Sequence, residues 1–115
     1  MSWAYTLGQI FVMFDLPTLE KHEIKAANNF RKTLLDFGFF MMQESVYVRN
    51  CVTIDKSDYW LKKVRNNAPI AGGNVVAFFI TAKQWNKAEI ISCVETHHKY
   101  RKKAGEAFPE QITFW

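Results

Sequence analysis

The chain has 115 residues, of which 49% are apolar, 16% aromatic and 23% charged, with a formal net charge of +4. That length supports one domain burying about two-thirds of its unfolded surface, and that composition excludes a disordered chain and a membrane bundle. Apolar runs stay far short of the roughly 18 residues of a spanning helix. Met1-Ser2-Trp3-Ala4-Tyr5 lacks a basic leader region, so a soluble cytoplasmic protein is expected.

Residues 9–15 are almost continuously apolar and end in Phe14-Asp15, the pattern of a central strand covered on both faces. Leu16-Pro17-Thr18 then turns the chain. From Glu20 to Phe37 the residues Ile24, Ala27, Phe30, Leu34 and Phe37 recur at helical spacing, with Thr18 as expected N-cap and Gly38 as expected stop. Phe39–Arg49 is aromatic and β-branched, hence extended, either as one strand or as two turning at Gln43-Glu44. A second helix is predicted over Asp55–Asn67, with Ile54, Leu61, Val64 and Ala68 on one side and Pro69 beyond its end.

After Gly72-Gly73, Asn74–Ala82 and Glu89–Glu95 are predicted strands joined by the basic connection Lys83–Lys87. The order makes an α+β protein. With the middle region split it becomes βαββαβ plus an extra C-terminal strand, the ferredoxin-like arrangement. Residues 1–95 would form that domain and 96–115 a basic and aromatic tail.

Asp15 closes a buried strand just before a proline-marked turn, where a carboxylate serves either as a turn cap or as a ligand for a hard cation such as Mg²⁺. One carboxylate is a poor metal site, and two protomers about a twofold axis would supply a second. Cys51 and Cys93 lack ligand spacing, as do His22 and the adjacent pair His97-His98. Ser45 has no base partner at recognisable spacing, and Gly72-Gly73 is a turn rather than a phosphate loop. The nucleic-acid candidates are Arg31 and Lys32 on the first helix, Lys83 and Lys87 in the connection, and Lys99, Arg101, Lys102 and Lys103 in the late basic run. Phe108–Trp115 is apolar for a tail, and its strand-like Gln111–Trp115 suits addition to a sheet edge.

Phe14-Asp15-Leu16-Pro17, Phe30-Arg31-Lys32 with Leu34, Gly38-Phe39, Gln43-Glu44-Ser45-Val46-Tyr47 and Thr81–Glu89 together resemble the CRISPR-associated Cas-two family, in its type II version. The resemblance covers about residues 9–95. It implies a ferredoxin-like homodimer with the two sheets face to face and a late strand reaching the mate. It also implies that Asp15 is a catalytic Mg²⁺ ligand shared across the dimer, in an endonuclease acting on RNA or double-stranded DNA. The family's structural role would have the dimer bridge the Cas-one integrase and hold duplex protospacer DNA for spacer integration, with cutting dispensable. A ferredoxin-like RNA-binding domain without catalysis is the alternative, although Val75–Ile80 lacks the glycine of an RNP1 strand.

Overall fold

β1 (Gly8–Asp15) lies between β3 (Val46–Cys51) and β4 (Asn74–Thr81), antiparallel to both, and β2 (Phe40–Gln43) completes a sheet of order β2-β3-β1-β4. The computed structural model describes residues 8–70, 72–93 and 98–103, with side chains through Ile91. Met1–Leu7, the tail beyond Lys103 and its strand-like Gln111–Trp115 lie outside the described residues. α1 (Lys21–Asp36) and α2 (Ile54–Asn67) make the two crossovers. With both in place the order is βαββαβ, a ferredoxin-like α+β fold.

Alternation along β1 sends Ile10, Val12 and Phe14 to the helical face, where they form one core with Phe30 and Leu34 of α1, Val64 of α2, and Tyr47 and Cys51 of β3. Phe14 is its hinge point, edge-on to Phe30 at 5.2 Å and stacked on Tyr47 at 5.7 Å. The extended stretch does split, at a turn over Glu44-Ser45, and a bulge between Met41 and Gln43 shifts the β2–β3 register.

Two expectations, the N-cap of α1 and the cover of β1, are corrected, and the basic connection between the late strands gains a defined structure. The N-cap of α1 is Glu20 rather than Thr18, because Glu23 reaches back to accept from the Glu20 and Leu19 amides at 2.9 and 3.1 Å. The basic connection is a short helix, α3 (Ala82–Lys87), because Thr81 and Gln84 cap each other's amides at 3.1 and 2.9 Å. Finally, β1 is covered on its second face only at one end. There Trp85 of α3 is buried edge-on against Phe11 at 5.5 Å, while Met13 at the other end is 43% exposed.

Beyond α3, β5 (Glu89–Cys93) and β6 (His98–Lys103) pair as a separate antiparallel hairpin, from Glu89 opposite Lys103 to Cys93 opposite His98. No helix among the described residues is long and apolar enough to cross a membrane.

Candidate functional site

The site is built at the open end of β1. Asp15 is its last residue, exposed and opposite Asn74, the first residue of β4. Ser45 reaches the same end because its carbonyl accepts from the Phe14 amide at 3.0 Å, continuing the β1–β3 pairing into the turn. Asp15, Ser45 and Asn74 rim a depression of about 320 Å³ floored by Met13, Phe14, Val46 and Val76.

The backbone around it is glycine-dependent. Gly73 has φ +77 and packs so tightly that a side chain there would run into the Asp15 carbonyl, while Gly72 at φ +72 lies against Pro17. The Gly72-Gly73 turn therefore holds Asn74 and Asp15 in register.

Among the described residues, no three His, Cys, Asp or Glu side chains gather into a metal-binding group. What one chain offers at this rim is a carboxylate, a hydroxyl and an amide oxygen. These are hard oxygen donors of the kind Mg²⁺ accepts while keeping waters and phosphate oxygens in its shell. The donor chemistry fits, with Asp15 as the charged oxygen donor among the three.

The sheet face next to the rim is apolar and open: Met13 is 43%, Val76 54% and Phe78 38% exposed, and the β1–β4 register puts all three on one side. Phe78 stacks on Phe11 at 5.3 Å, which ties β4 to β1 on this face.

Of the expected cations with described side chains, Arg31 is the one tied to the Asp15 end. Its Nε donates to the Glu44 carbonyl and its Nη1 to Asn28 Oδ1, both at 3.2 Å, and its guanidinium lies 5.5 Å from the Phe14 ring. It ties α1 to the turn that carries Ser45. Below it, burial pushes the Tyr47 hydroxyl pKa up, with Arg31 opposing and Glu44 reinforcing the shift. Lys32 is exposed on α1. Lys83 and Lys87 are exposed on α3, which follows Thr81 opposite Gly8, at the other end of β1 from Asp15. Lys99, Arg101, Lys102 and Lys103 all fall in β6.

Ser45 and Asn74 were missed as site residues. Ser45 reads in sequence as a hairpin turn residue. Asn74 carried a usable signal, since it is the first residue after the glycine pair and so begins the strand beside β1.

The fold and rim define a class: a ferredoxin-like domain with one exposed carboxylate at the end of its central strand, beside a bare apolar sheet face. The family described as CRISPR associated protein Cas2 matches residues 9–88. The CRISPR-associated endoribonuclease Cas2 of Paracidovorax avenae is 41% identical over 112 residues, covering 97% of each chain. The protein of the same name from Flavobacterium psychrophilum is 42% identical over 82 residues, 71% of this chain and 70% of that one. That of Streptococcus mutans serotype c is 31% identical over 108 residues, 90% and 98% respectively. The chain belongs to the Cas2 family.

Proposed function

We propose that this chain acts as a homodimeric CRISPR adaptation protein that holds duplex DNA for spacer integration beside the Cas-one integrase. In the same proposal Asp15 from two protomers forms a shared Mg²⁺ site able to hydrolyse phosphodiesters. The observation that carries it is the pairing of a lone exposed carboxylate with an apolar sheet face open to solvent. A second copy seated on that face would cover Met13, Val76 and Phe78 and bring a second Asp15 to the first.

Bound Mg²⁺ would neutralise phosphate charge and lower the pKa of a bound water. The chain's own part is to present Asp15 at a rim rigidified by the Gly72-Gly73 turn, with Ser45 and Asn74 as neutral oxygen donors beside it. Holding rather than cutting is the main work in this reading. The lysines of α3 sit on a helix that follows the rung Gly8–Thr81, at the other end of β1 from the rung Asp15–Asn74, which suits contacts spread along a polymer backbone rather than a clamp on one reacting phosphate.

The cutting reading rests on the relatives, whose names call them endoribonucleases. Asp15→Ala separates the two when assayed for Mg²⁺-dependent cleavage of RNA and of duplex DNA, and for spacer acquisition in cells. Lost cleavage with intact acquisition is expected. Lost acquisition in a variant that still folds and dimerises would overturn holding as the main role.

A further inference from the structure

The helical layer carries a second constellation, on the opposite side of the sheet from the face that Asp15 and Met13 share. Trp60 of α2 has the Arg49 guanidinium 4.1 Å from its ring and Phe37 at 5.6 Å. Arg49 is itself buried and fixed, donating to the Phe37 and Asn50 carbonyls, both at 2.8 Å. Tyr59 stands edge-on to this immobilised indole at 5.0 Å and is 50% exposed. Lys56 Nζ lies 5.7 Å and Lys63 Nζ 5.8 Å from the Tyr59 ring, and Lys63 also lies 5.1 Å from Phe37.

An aromatic ring kept half in water, braced from behind by a tryptophan and flanked by two ammonium groups, has little to gain for the core. From Tyr59, Lys56 and Lys63 are three residues back and four residues on, so they bracket the ring along one helical face, about 10 Å apart along the axis. Asp55 and Asp58 are the acidic neighbours on α2, where Lys56, Lys62, Lys63 and Arg65 outnumber them. Positive charge around a pre-positioned ring is complementary to a phosphate backbone with a base to stack.

We propose that Tyr59, backed by Trp60 and flanked by Lys56 and Lys63, is a stacking site for a base of single-stranded nucleic acid. A duplex would not satisfy it, because paired bases keep their faces inside their own stack. The site is separate from the Asp15 rim and requires no metal.

The test is fluorescence anisotropy of a labelled short oligothymidylate titrated with the full chain in EDTA. Tyr59→Ala should weaken binding about tenfold, the range of one lost base–aromatic stack, and Tyr59→Phe should stay within about twofold of the parent. Tyr59→Leu keeps an apolar contact for Trp60 but has no ring, so it should lose as much affinity as Tyr59→Ala. Lys56→Gln with Lys63→Gln should flatten the salt dependence of binding. Tyr59→Leu binding the oligonucleotide as tightly as the parent would overturn the proposal. So would an equal loss for a duplex of the same length, which marks general phosphate attraction rather than stacking.

Discussion

Asp15 stands opposite Asn74 at the last rung between β1 and β4, and the left-handed pair Gly72-Gly73 delivers the chain to that rung. A side chain at Gly73 would meet the Asp15 carbonyl and, at 3.0 Å, the Leu16 Cα, both backbone atoms that cannot swing aside. At Gly72 the nearest obstacle is Pro17 Cγ at 3.2 Å. Both alanine substitutions incur about 1–2 kcal/mol for the left-handed backbone. Gly73→Ala should cost clearly more, with melting lowered by roughly 5 °C per kcal/mol. It should also disturb Asp15, so Mg²⁺-dependent effects should weaken in Gly73→Ala and persist in Gly72→Ala. Equal melting temperatures for the two variants would refute this account of the rim.

The bare sheet face gives a prediction about assembly. Val76 is 54% exposed beside Met13 and Asp15, so Val76→Glu should leave the monomer's fold nearly untouched. In a face-to-face dimer the same change buries two unpaired carboxylates about the twofold, at several kcal/mol. Sedimentation should show a dimer for the parent and a monomer for Val76→Glu. A variant that remains dimeric would mean that the two protomers meet elsewhere.

Much of the fold was legible because its signals are local. The apolar run ending at Asp15, the helical recurrence of Ala27, Phe30 and Leu34, and the Gly72-Gly73 break each state their element within a few residues. The short α3 was legible too, since Thr81 and Gln84 stand at capping-box spacing, but the charge of Lys83 and Lys87 drew attention to binding instead. Two features were not legible. The exposure of Met13 depends on how far α3 reaches over the sheet, and the stack of Arg49, Trp60 and Tyr59 joins β3 to α2 through tertiary contacts that no spacing encodes. Of the candidate site, the position of Asp15 at the strand end was readable, whereas its neighbours Ser45 and Asn74 depend on pairing with two other strands.

Alkaline pH should weaken the fold through two buried groups. Burial pushes the Cys51 thiol up against the lowering pulls of a backbone hydrogen bond from Thr53 and of Arg49, and burial likewise raises Tyr47. Each group therefore keeps its proton in the folded chain at a pH where the unfolded chain has begun to lose it. The stability this lends is complete below the ordinary thiol value of about 8.5 and is lost as pH rises through the raised folded values. The urea midpoint should fall as pH rises from about 8.5, the ordinary thiol value, past about 10, the ordinary tyrosine value. Cys51→Ala should start lower, because it leaves a small cavity, yet decline less steeply over the first part of that range. An unchanged slope in Cys51→Ala would remove the thiol from the explanation.

Arg49 joins three elements, and its replacement should show it. The last turn of α1 holds Asp36 and no basic residue, an unfavourable charge at the negative end of a helix dipole. Arg49 supplies the missing positive group from β3 by donating to the Phe37 carbonyl, while its other arm serves the Asn50 carbonyl and its flat face lies on Trp60. Burial lowers its pKa from the usual arginine value, which measures how much water it has given up. A lysine cannot donate along both directions and stack at once. Arg49→Lys should therefore cost about 1–2 kcal/mol and Arg49→Ala about 3–4 kcal/mol, the latter removing the Arg49 donor from the buried Asn50 carbonyl and the part-buried Phe37 carbonyl and baring the Trp60 face. Hydrogen exchange should localise the Arg49→Lys loss to the last turn of α1 and the Trp60 turn of α2, with β4 unaffected. If Arg49→Lys melts with the parent, the guanidinium is not what fastens α1 to the sheet.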